Sequence, residues 1–354
     1  MKFKSDNVEQ VYLIRAVQMS DLDSLLTLIK KSSGGLSSLQ PRKDFLQKYI
    51  KASMDSFSEK LPASDPHKYL MVMIDVTCKK LIGCAAVKTK IGVESPFINF
   101  SLQGDGEAQV LKASSRFTGA TEVGSLFLDA DYRDSGLGRY LTKVRYLLMS
   151  KEPWRFGETV IAELRGVCGT NGSPLYDHLF EYKLDKTFLE ADTEYFDRNP
   201  DALGDIVPLG AVGVHRMPLA VKSSLGQAHP SGVGAMRLLQ NEGFIFSGLV
   251  DLFDGGPIMT AHRDTIRTIM DSKSAKIGDK GPQPDARLAI VSAGDVAGFR
   301  AVISATTVSG ETLQISSIAL NALSCKLGDN VTYWQSGKSR RRVQALPQIA
   351  SIKA

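Results

Sequence analysis

The stretch EVGSLFLDADYRDSGLGRYLTKVRYLL, residues 122–148, decides the fold. The apolar run at 123–128 predicts a strand, and within 137–148 apolar residues recur at the three- and four-residue spacing of one helix face. Between the strand and the helix lies the glycine-containing turn 133–138. Such a turn before a helix N-terminus lets backbone N–H groups approach an anion. The stretch therefore predicts a strand, an anion-binding turn and a helix.

Four residues of this turn are candidates for binding phosphate. Gly136 and Gly138 remove side chains so that the backbone can approach phosphate oxygens, and Arg133 and Arg139 supply positive charge. No Lys-Ser/Thr pair follows the glycines, as a P-loop would require, and the triple-glycine dinucleotide fingerprint is incomplete. Alone, the pattern R-x-x-G-x-G also fits an ordinary strand–turn–helix connection.

The flanking sequence predicts a regular alternation of elements. The predicted segments are a strand at 11–17, a helix with its apolar face in 22–29, a hairpin from 69–76 and 81–87, a strand at 159–164 and a helix beginning at 173–176. The order β-α-β-β-β-α-β-α is typical of an α/β layer fold. A linker is predicted at 271–284, and short β-runs at 288–291, 299–307 and 312–315 predict a small β-rich domain after it.

Composition excludes several classes of protein. Hydrophobic residues make up 43% of the 354 residues and mean hydropathy is −0.08, as in ordinary globular proteins. No apolar leader or membrane-spanning run is present in the sequence. The four cysteines are scattered without disulfide or metal spacing, and no His/Cys/Asp/Glu cluster has metal-ligand spacing. We therefore expect reduced thiols, a cytoplasmic protein, no membrane partner and no metal.

The turn and its strand resemble the acyl-CoA loop of the GNAT N-acyltransferases, in which a strand ending in an acidic residue precedes R/Q-x-x-G-x-G/A. Longer segments resemble one family in particular, the arginine N-succinyltransferases. The matching segments are FTGATE at 117–122, IAELRGV at 161–167, GQAHP at 226–230, EGF at 242–244, FDGGP at 253–257 and GGLSSL at 34–39. The resemblance runs from about residue 11 to 265 and continues more faintly beyond; stretches 91–116 and 195–225 depart from the family pattern.

This resemblance implies an architecture. Residues 235–244 resemble the late helix of a GNAT unit, and 173–184 has the same place in a first unit. We therefore predict an α/β (α+β) tandem GNAT-like fold with a small C-terminal β-barrel-like domain. The predicted units are 1–185 (acyl-CoA-binding half), 186–270 (second half, carrying His229) and 285–354 (β-rich domain).

The resemblance also implies roles for individual residues. His229, within GQAHP, corresponds to a catalytic histidine that protonates the leaving CoA thiolate, and imidazole is suited to carry protons near neutrality. Without the family resemblance, a histidine before a proline would be interpreted as an ordinary loop residue. Leu126 and Leu128 would offer main-chain groups to the pantetheine arm. The other four histidines have no comparable context.

A cationic amino-acid substrate needs carboxylates, and a dicarboxylic acyl group needs a cation. Glu122, Glu163 and Asp254 lie in or beside the matched segments and are the candidate carboxylates for a guanidinium. Glu122 is alternatively a holder of the water that takes the amine proton. Arg165 and Arg237 are both candidates for the distal acyl carboxylate, and the sequence does not choose between them.

The predicted activity is transfer of succinyl from succinyl-CoA to the α-amine of L-arginine, with small-molecule substrates and no nucleic-acid partner. The alternatives are a GNAT acyltransferase for ornithine or another amine or using acetyl-CoA, and a non-catalytic acyl-CoA-binding regulatory protein. The net charge of +5 suits a polyanionic substrate such as coenzyme A. It also allows a nucleic-acid surface at the basic cluster 338–342, which lacks stacking aromatics. Oligomeric state, a homo-oligomer included, is left open.

Overall fold

The computed structural model describes residues 10–32, 36, 38–58, 60–94, 96–133, 135–169, 172–197 and 206–336. The basic cluster 338–342, residues 1–9, and Gly34, Gly35 and Ser37 of the GGLSSL segment lie outside the described residues, as does Asp134 of the turn.

The described chain contains the following strands: β1 Tyr12–Ala16, β2 Lys68–Asp75, β3 Lys80–Lys88, β4 Asn99–Gln103, β5 Val110–Ser114, β6 Thr121–Leu128, β7 Thr159–Glu163, β8 Val212–Gly213, β9 Ile245–Val250, β10 Pro257–His262, β11 Lys273–Ile277, β12 Arg287–Ala293, β13 Arg300–Ser309, β14 Thr312–Gln314 and β15 Asn330–Gln335. Its α-helices are α1 Leu22–Lys30, α2 Lys43–Phe57, α3 Leu137–Lys151, α4 Pro174–Leu179, α5 Glu181–Leu184, α6 Phe188–Asp197, α7 Leu219–Ser224, α8 Val233–Glu242, α9 Arg267–Asp271 and α10 Ser317–Leu323.

One continuous sheet joins all fifteen of these strands, in the order β12-β15-β11-β14-β13-β1-β2-β3-β6-β7-β10-β9-β4-β5-β8. Helix α3 packs on one face, where Leu137, Leu141, Val144 and Leu148 are fully buried as their spacing predicted. Helices α1 and α2 cover the other face of β2 and β3. The sheet is thus a middle layer between helices, which confirms the predicted mixed α/β class.

The C-terminal strands close into a small barrel. Strand β12 pairs with β13 and β15, and the circuit is completed through β14 and β11. Its interior is an apolar cluster that includes Val291, Val302, Leu313 and Val331. The predicted β-barrel-like domain is confirmed.

The linker predicted at 271–284 is wrong, because β11 lies inside it and is part of the barrel wall. Only Ala275 and Ile277 of this strand are buried, so its sequence carries little apolar signal. The strand forms because its backbone pairs with β14 and β15.

The two predicted GNAT-like halves share one sheet. Strand β10 of the second half lies directly beside β7 of the first, and β9 follows β10. Leu239, Phe244 and Met259 pack in the same core as α3. Both predicted units therefore contribute to one core. The boundary between residues 185 and 186 stays a prediction.

Candidate active site

The centre of the candidate site is an opening between β6 and β7. These strands run parallel but pair only at Thr121–Val160 and Glu122–Ile161, so they separate beyond that point. Strand β6 bulges where its pairing with β3 shifts register between Cys84 and Ala86. Ser125 lies at this bulge with φ of 49°, a left-handed conformation that a serine rarely adopts.

The end of β6 presents a backbone amide to the opening. The Asp129 N–H donates to Ile82 O at 2.7 Å and so points toward β3. Because alternate amides of a regular strand point to opposite edges, the amide of Leu128 points toward the opening. Leu126 directly follows the bulge at Ser125, and its main-chain contact to an acyl-CoA stays a prediction.

The glycine turn follows directly. Gly136 has φ of 81° and is the N-cap of α3, a conformation that favours glycine. A side chain at Gly138 would meet no atom within 4 Å, so the helix N-terminus is open there. Arg133 donates to Leu128 O at 3.2 Å and lies over the Phe127 ring, and the exposed Arg139 lies over the Tyr140 ring. The turn thus places exposed positive charge beside open helix amides.

A buried carboxylate anchors the turn to the sheet. Asp129 is 2% exposed and accepts from Lys31 at 2.8 Å, with Lys80 at 3.2 Å. Burial opposes ionisation, but these two ammonium groups lower the pKa of Asp129 to about 2. The end of β6 is therefore fixed to the chain that follows α1 and to β3.

Two acidic candidates, Glu122 and Glu163, lie on the same face of the opened strand pair. Glu122 is buried and forms an ion pair with Lys88 of β3 at 3.0 Å. The half-buried Glu163 accepts from Asn99 Nδ2 at 3.2 Å. Burial, together with the charges of Asp251 and Glu122, raises the pKa of Glu163 well above its usual range.

Asn99 adds an acceptor to this cluster. It is 1% exposed, and its Oδ1 makes no hydrogen bond within the described part of the chain. Glu163 and Asn99 Oδ1 together can accept from the N–H groups of a cationic ligand.

The third acidic candidate, Asp254, lies in a separate network around Arg165. Its Oδ1 accepts from the Gly256 N–H at 2.8 Å and its Oδ2 lies 3.5 Å from Arg165 Nε. Asp192 of α6 pairs with Arg165 Nη1 at 2.8 Å, and burial raises the pKa of Asp192 to about 6 despite this cation. Arg165 is thus held by two carboxylates.

This network also explains the FDGGP segment. A side chain at Gly256 would lie 2.0 Å from Leu164 O, so only glycine allows the backbones to come this close. Asp254 therefore shapes the turn that follows β9, a structural role beside its predicted one.

His229 is tied to the end of β7. Its N–H donates to Arg165 O at 2.7 Å, and Ala228 forms a bridge with Gly166. The Ser231 N–H donates to His229 Nδ1 at 3.2 Å, and Ser231 Oγ lies 2.7 Å from the same nitrogen. Because a backbone N–H can only donate, these contacts assign the proton of the neutral ring to Nε2.

The structure thus brings the predicted residues together in two groups. The opening and the turn join Leu126, Leu128, Arg133, Gly136, Gly138 and Arg139, whereas Glu122, Glu163, Asp254 and His229 lie along β6, β7 and the segments bound to them. Arg237 is on the exposed side of α8. Sequence reasoning missed Lys88, Asn99 and Asp192, none of which lies in a matched segment.

Among the described residues, no group of three or more His, Cys, Asp or Glu side chains could hold a metal ion. None of the helices in this part of the chain has the length and apolarity needed to cross a membrane.

An opened parallel strand pair, a bulged strand and a glycine turn at a helix N-terminus define an acyltransferase of the GNAT type. Residues 12–268 match the family described as "Arginine N-succinyltransferase beta subunit", and the chain belongs to that family.

Named relatives and a solved structure agree with this assignment. The chain is 29% identical over 331 residues to "Arginine N-succinyltransferase" of Escherichia coli O139:H28, which covers 90% of this chain and 96% of that one. The same values hold for the Shigella flexneri protein of that name. The structure of arginine/ornithine succinyltransferase subunit AI from Pseudomonas aeruginosa matches with a TM-score of 0.81 and 25% identity, covering 93% of this chain and all of that one.

Proposed function

We propose that this protein transfers the succinyl group of succinyl-CoA to the α-amine of L-arginine. The observation that supports a cationic amino-acid substrate is the pair of hydrogen-bond acceptors Glu163 and Asn99 Oδ1, next to the opening of β6 and β7. These two acceptors match a guanidinium, which has five N–H donors and no acceptor. Glu122 and Asp254 already face cations of the protein, so Glu163 is the principal carboxylate for the substrate.

The residues of the site divide the chemistry between them. The main-chain amides of Leu126 and Leu128 would stabilise the negative charge that develops on the thioester carbonyl. The neutral α-amine attacks the thioester carbon, and the C–S bond of the tetrahedral intermediate then breaks. His229 gives its Nε2 proton to the departing thiolate, and a water oriented by Glu122 takes the proton from the amine and returns a proton to the ring.

The acyl donor is bound at the turn. The α3 amides near Gly138, together with Arg133 and Arg139, would hold the pyrophosphate of coenzyme A. The described cysteines are free thiols, which supports the cytoplasmic location that the proposal includes.

The experiment measures thiol release by the purified protein with succinyl-CoA or acetyl-CoA and with arginine, ornithine or norvaline. We expect succinyl-CoA with arginine to give the highest kcat/KM, ornithine to be slower and norvaline to be near background, because an uncharged analogue leaves the buried acceptors unpaired. Equal rates with arginine and norvaline would refute the arginine assignment. Tight acyl-CoA binding without thiol release for any amine would instead identify a regulatory acyl-CoA-binding protein.

A further inference from the structure

We propose that the hydroxyls of Ser38, Ser125 and Tyr49, with the Lys88 ammonium, form a carboxylate-binding site, which we call the hydroxyl site. It takes the free carboxylate of the acyl group and so selects a dicarboxylic acyl donor. The inference rests on the proposed function, which it deepens by naming the residues that recognise the acyl tail.

Two of the hydroxyls meet at the bulge of β6. Ser125 Oγ lies 2.9 Å from Ser38 Oγ, which belongs to the chain between α1 and α2. Ser125 is 5% exposed, and its left-handed backbone directs a polar side chain into the interior. A strained residue with a buried hydroxyl at the mouth of an opened strand pair is a feature that typically serves ligand binding.

The third hydroxyl joins the other two at the bulge. Tyr49 of α2 is 7% exposed, and the Ser125 hydroxyl is its hydrogen-bonding neighbour. The charges of Lys88 and Glu122 also act on the Tyr49 OH, so the ring reaches the same place as the bulge. Buried hydroxyls that have only one another as partners keep hydrogen-bonding capacity for a ligand.

Lys88 gives the hydroxyl site its positive charge. It donates to both oxygens of Glu122, at 3.0 and 3.1 Å, and an ammonium has a third N–H to offer. Arg165 is already held by Asp192 and Asp254, and Arg237 is exposed on α8. Lys88 is paired with one carboxylate, whereas Arg165 is paired with two, and Lys88 lies beside the buried hydroxyls.

Position favours the acyl carboxylate over the α-carboxylate of the amino acid. Ser125 directly precedes Leu126, whose main chain is predicted to contact the acyl-CoA, and the distal carboxylate of succinyl lies only two methylene groups from the thioester carbonyl. The acceptors for the cationic substrate, Glu163 and Asn99, lie instead on β7 and β4. The acyl group and the amino acid both offer a carboxylate, so the experiment distinguishes between them.

The experiment compares wild type with Tyr49→Phe and Ser125→Ala. Tyr146→Phe is the matched control, because Tyr146 is a fully buried tyrosine of α3 whose OH lies beside Arg145. Thiol release is measured with succinyl-CoA and butyryl-CoA, which has a methyl group in place of the carboxylate. We expect Tyr49→Phe to lower kcat/KM for succinyl-CoA by roughly 10- to 100-fold, since hydrogen bonds to charged groups are the strong ones. With butyryl-CoA the change should stay within about twofold, and Tyr146→Phe should match wild type with both donors.

A second arm replaces arginine by agmatine, which lacks the α-carboxylate. The proposal predicts that the Tyr49→Phe loss with succinyl-CoA persists with agmatine. A loss that disappears with agmatine would assign the hydroxyl site to the amino acid and overturn the acyl assignment. Equal losses with succinyl-CoA and butyryl-CoA, or no loss with either, would overturn it too.

Failure of the proposed function has a different signature. If wild type releases no thiol from succinyl-CoA with any amine, the hydroxyl site is tested by calorimetric titration of the full chain with the two donors alone. Tighter binding of succinyl-CoA than of butyryl-CoA, with the difference erased in Tyr49→Phe, would support the site independently. Equal affinities in wild type would reject it.

Discussion

At the scale of single residues, the contacts of His229 with Ser231 and Arg165 fix the tautomer and the position of its neutral ring. The Ser231 amide fixes which ring nitrogen carries the proton, and the His229 amide is itself bound to Arg165 O. The neutral ring therefore carries its proton on Nε2, as the proposed proton transfer requires.

We expect His229→Asn to lower kcat by about 10²- to 10⁴-fold, because the proton is given to the thiolate only in the transition state. KM for both substrates should change little. The measurement is steady-state thiol release with both substrates varied.

The chain offers a matched control for this substitution. His262 makes the same local contact, its Nδ1 accepting from the Asp264 N–H at 3.3 Å, but at the far end of β10. His262→Asn should retain wild-type kcat. If His229→Asn also retains it, proton transfer belongs to Glu122 or to water.

A second prediction concerns Glu163 and proton release. Burial and the charges of Asp251 and Glu122 raise the pKa of Glu163, so it holds a proton at pH values where an ordinary glutamate is ionised. A guanidinium favours the ionised form, so arginine binding should release protons at these pH values, and affinity should rise with pH. Calorimetry in buffers of different ionisation enthalpy measures the release.

Glu163→Gln should abolish that release and weaken arginine binding by roughly 10- to 100-fold. Glu158→Gln, an exposed glutamate just before the same strand, is the control and should behave like wild type. Release that persists in Glu163→Gln would point to Asp254 or Asp192 as its source.

Asp192 gives a prediction about stability. An unfolded aspartate loses its proton near the usual 3.8, but in the folded protein burial raises the pKa of Asp192 to about 6. Between these values the folded state binds more protons, so the free energy of unfolding falls as pH rises. The stabilisation by the proton on Asp192 is fully present below pH 4 and is lost as the pH rises through about 6.

Asp192→Asn should remove this pH dependence. Between pH 4 and 7 its free energy of unfolding should fall by about 2 kcal/mol less than that of wild type. Urea unfolding at a series of pH values measures it. An unchanged slope in the variant would assign the pH dependence to Glu163 and Asp254.

The site residues that the sequence predicts lie inside or beside short recognisable segments, such as His229 in GQAHP. Asn99 was missed for a physical reason: in the sheet order, β10 and β9 lie between β4 and β7, so only the tertiary fold brings it to Glu163. Lys88 ends an ordinary apolar strand, and its importance depends on facing Glu122 across the β3–β6 register. No local pattern contains either relation.

At the scale of elements, the N-terminus of α3 is the feature that the proposal needs most. Gly136 supplies the left-handed turn. Gly138, the second residue of the helix, leaves open the space that a side chain would fill. Substitutions at this position should therefore affect the ligand much more than the fold.

We expect Gly138→Asp to reduce acyl-CoA affinity at least 100-fold by bulk and like charge while the protein stays folded. Calorimetric titration with CoA measures the affinity, and far-ultraviolet circular dichroism checks the fold. Gly234→Asp is the matched control, because Gly234 is also the second residue of a helix, α8, with no atom near its Cβ position. Unchanged CoA affinity in folded Gly138→Asp would reject the turn as the pyrophosphate site.

Elements with a strong local signal were predicted from the sequence: β1 to β3, β6, α3 and β7 all lie within a few residues of their expected positions. Helix α2 was missed, and its N-cap Arg42 offers no capping hydrogen bond to mark its start. The short strands β4, β5 and β11 form through pairing more than through composition, so the sequence alone does not indicate them.

At the scale of the whole molecule, the barrel and the acyltransferase layers are joined through β1, which pairs with β2 on one side and β13 on the other. They also share side-chain contacts. Trp334 of β15 lies against Tyr140, with Lys143 Nζ 3.9 Å above its ring, and Ile290, Phe299 and Ile303 belong to the same core as α3. The barrel is therefore not an independent appendage.

We expect unfolding in urea to be a single transition for both parts. In a Trp154→Phe background, Trp334 is the remaining tryptophan of the chain and reports on the barrel, while far-ultraviolet circular dichroism reports on the whole. The two curves should coincide. A fluorescence midpoint at clearly lower urea would show that the barrel unfolds alone.

The position of β1 in the sheet has a consequence for synthesis on the ribosome. Tyr12 pairs with Ile303, so the first strand to emerge gains one of its two neighbours only when almost all of the chain has been made. Until then β1 has an unpaired edge, which invites pairing with other nascent chains. Slow translation or a missing C-terminal portion should therefore favour aggregation over release of a shorter, active enzyme.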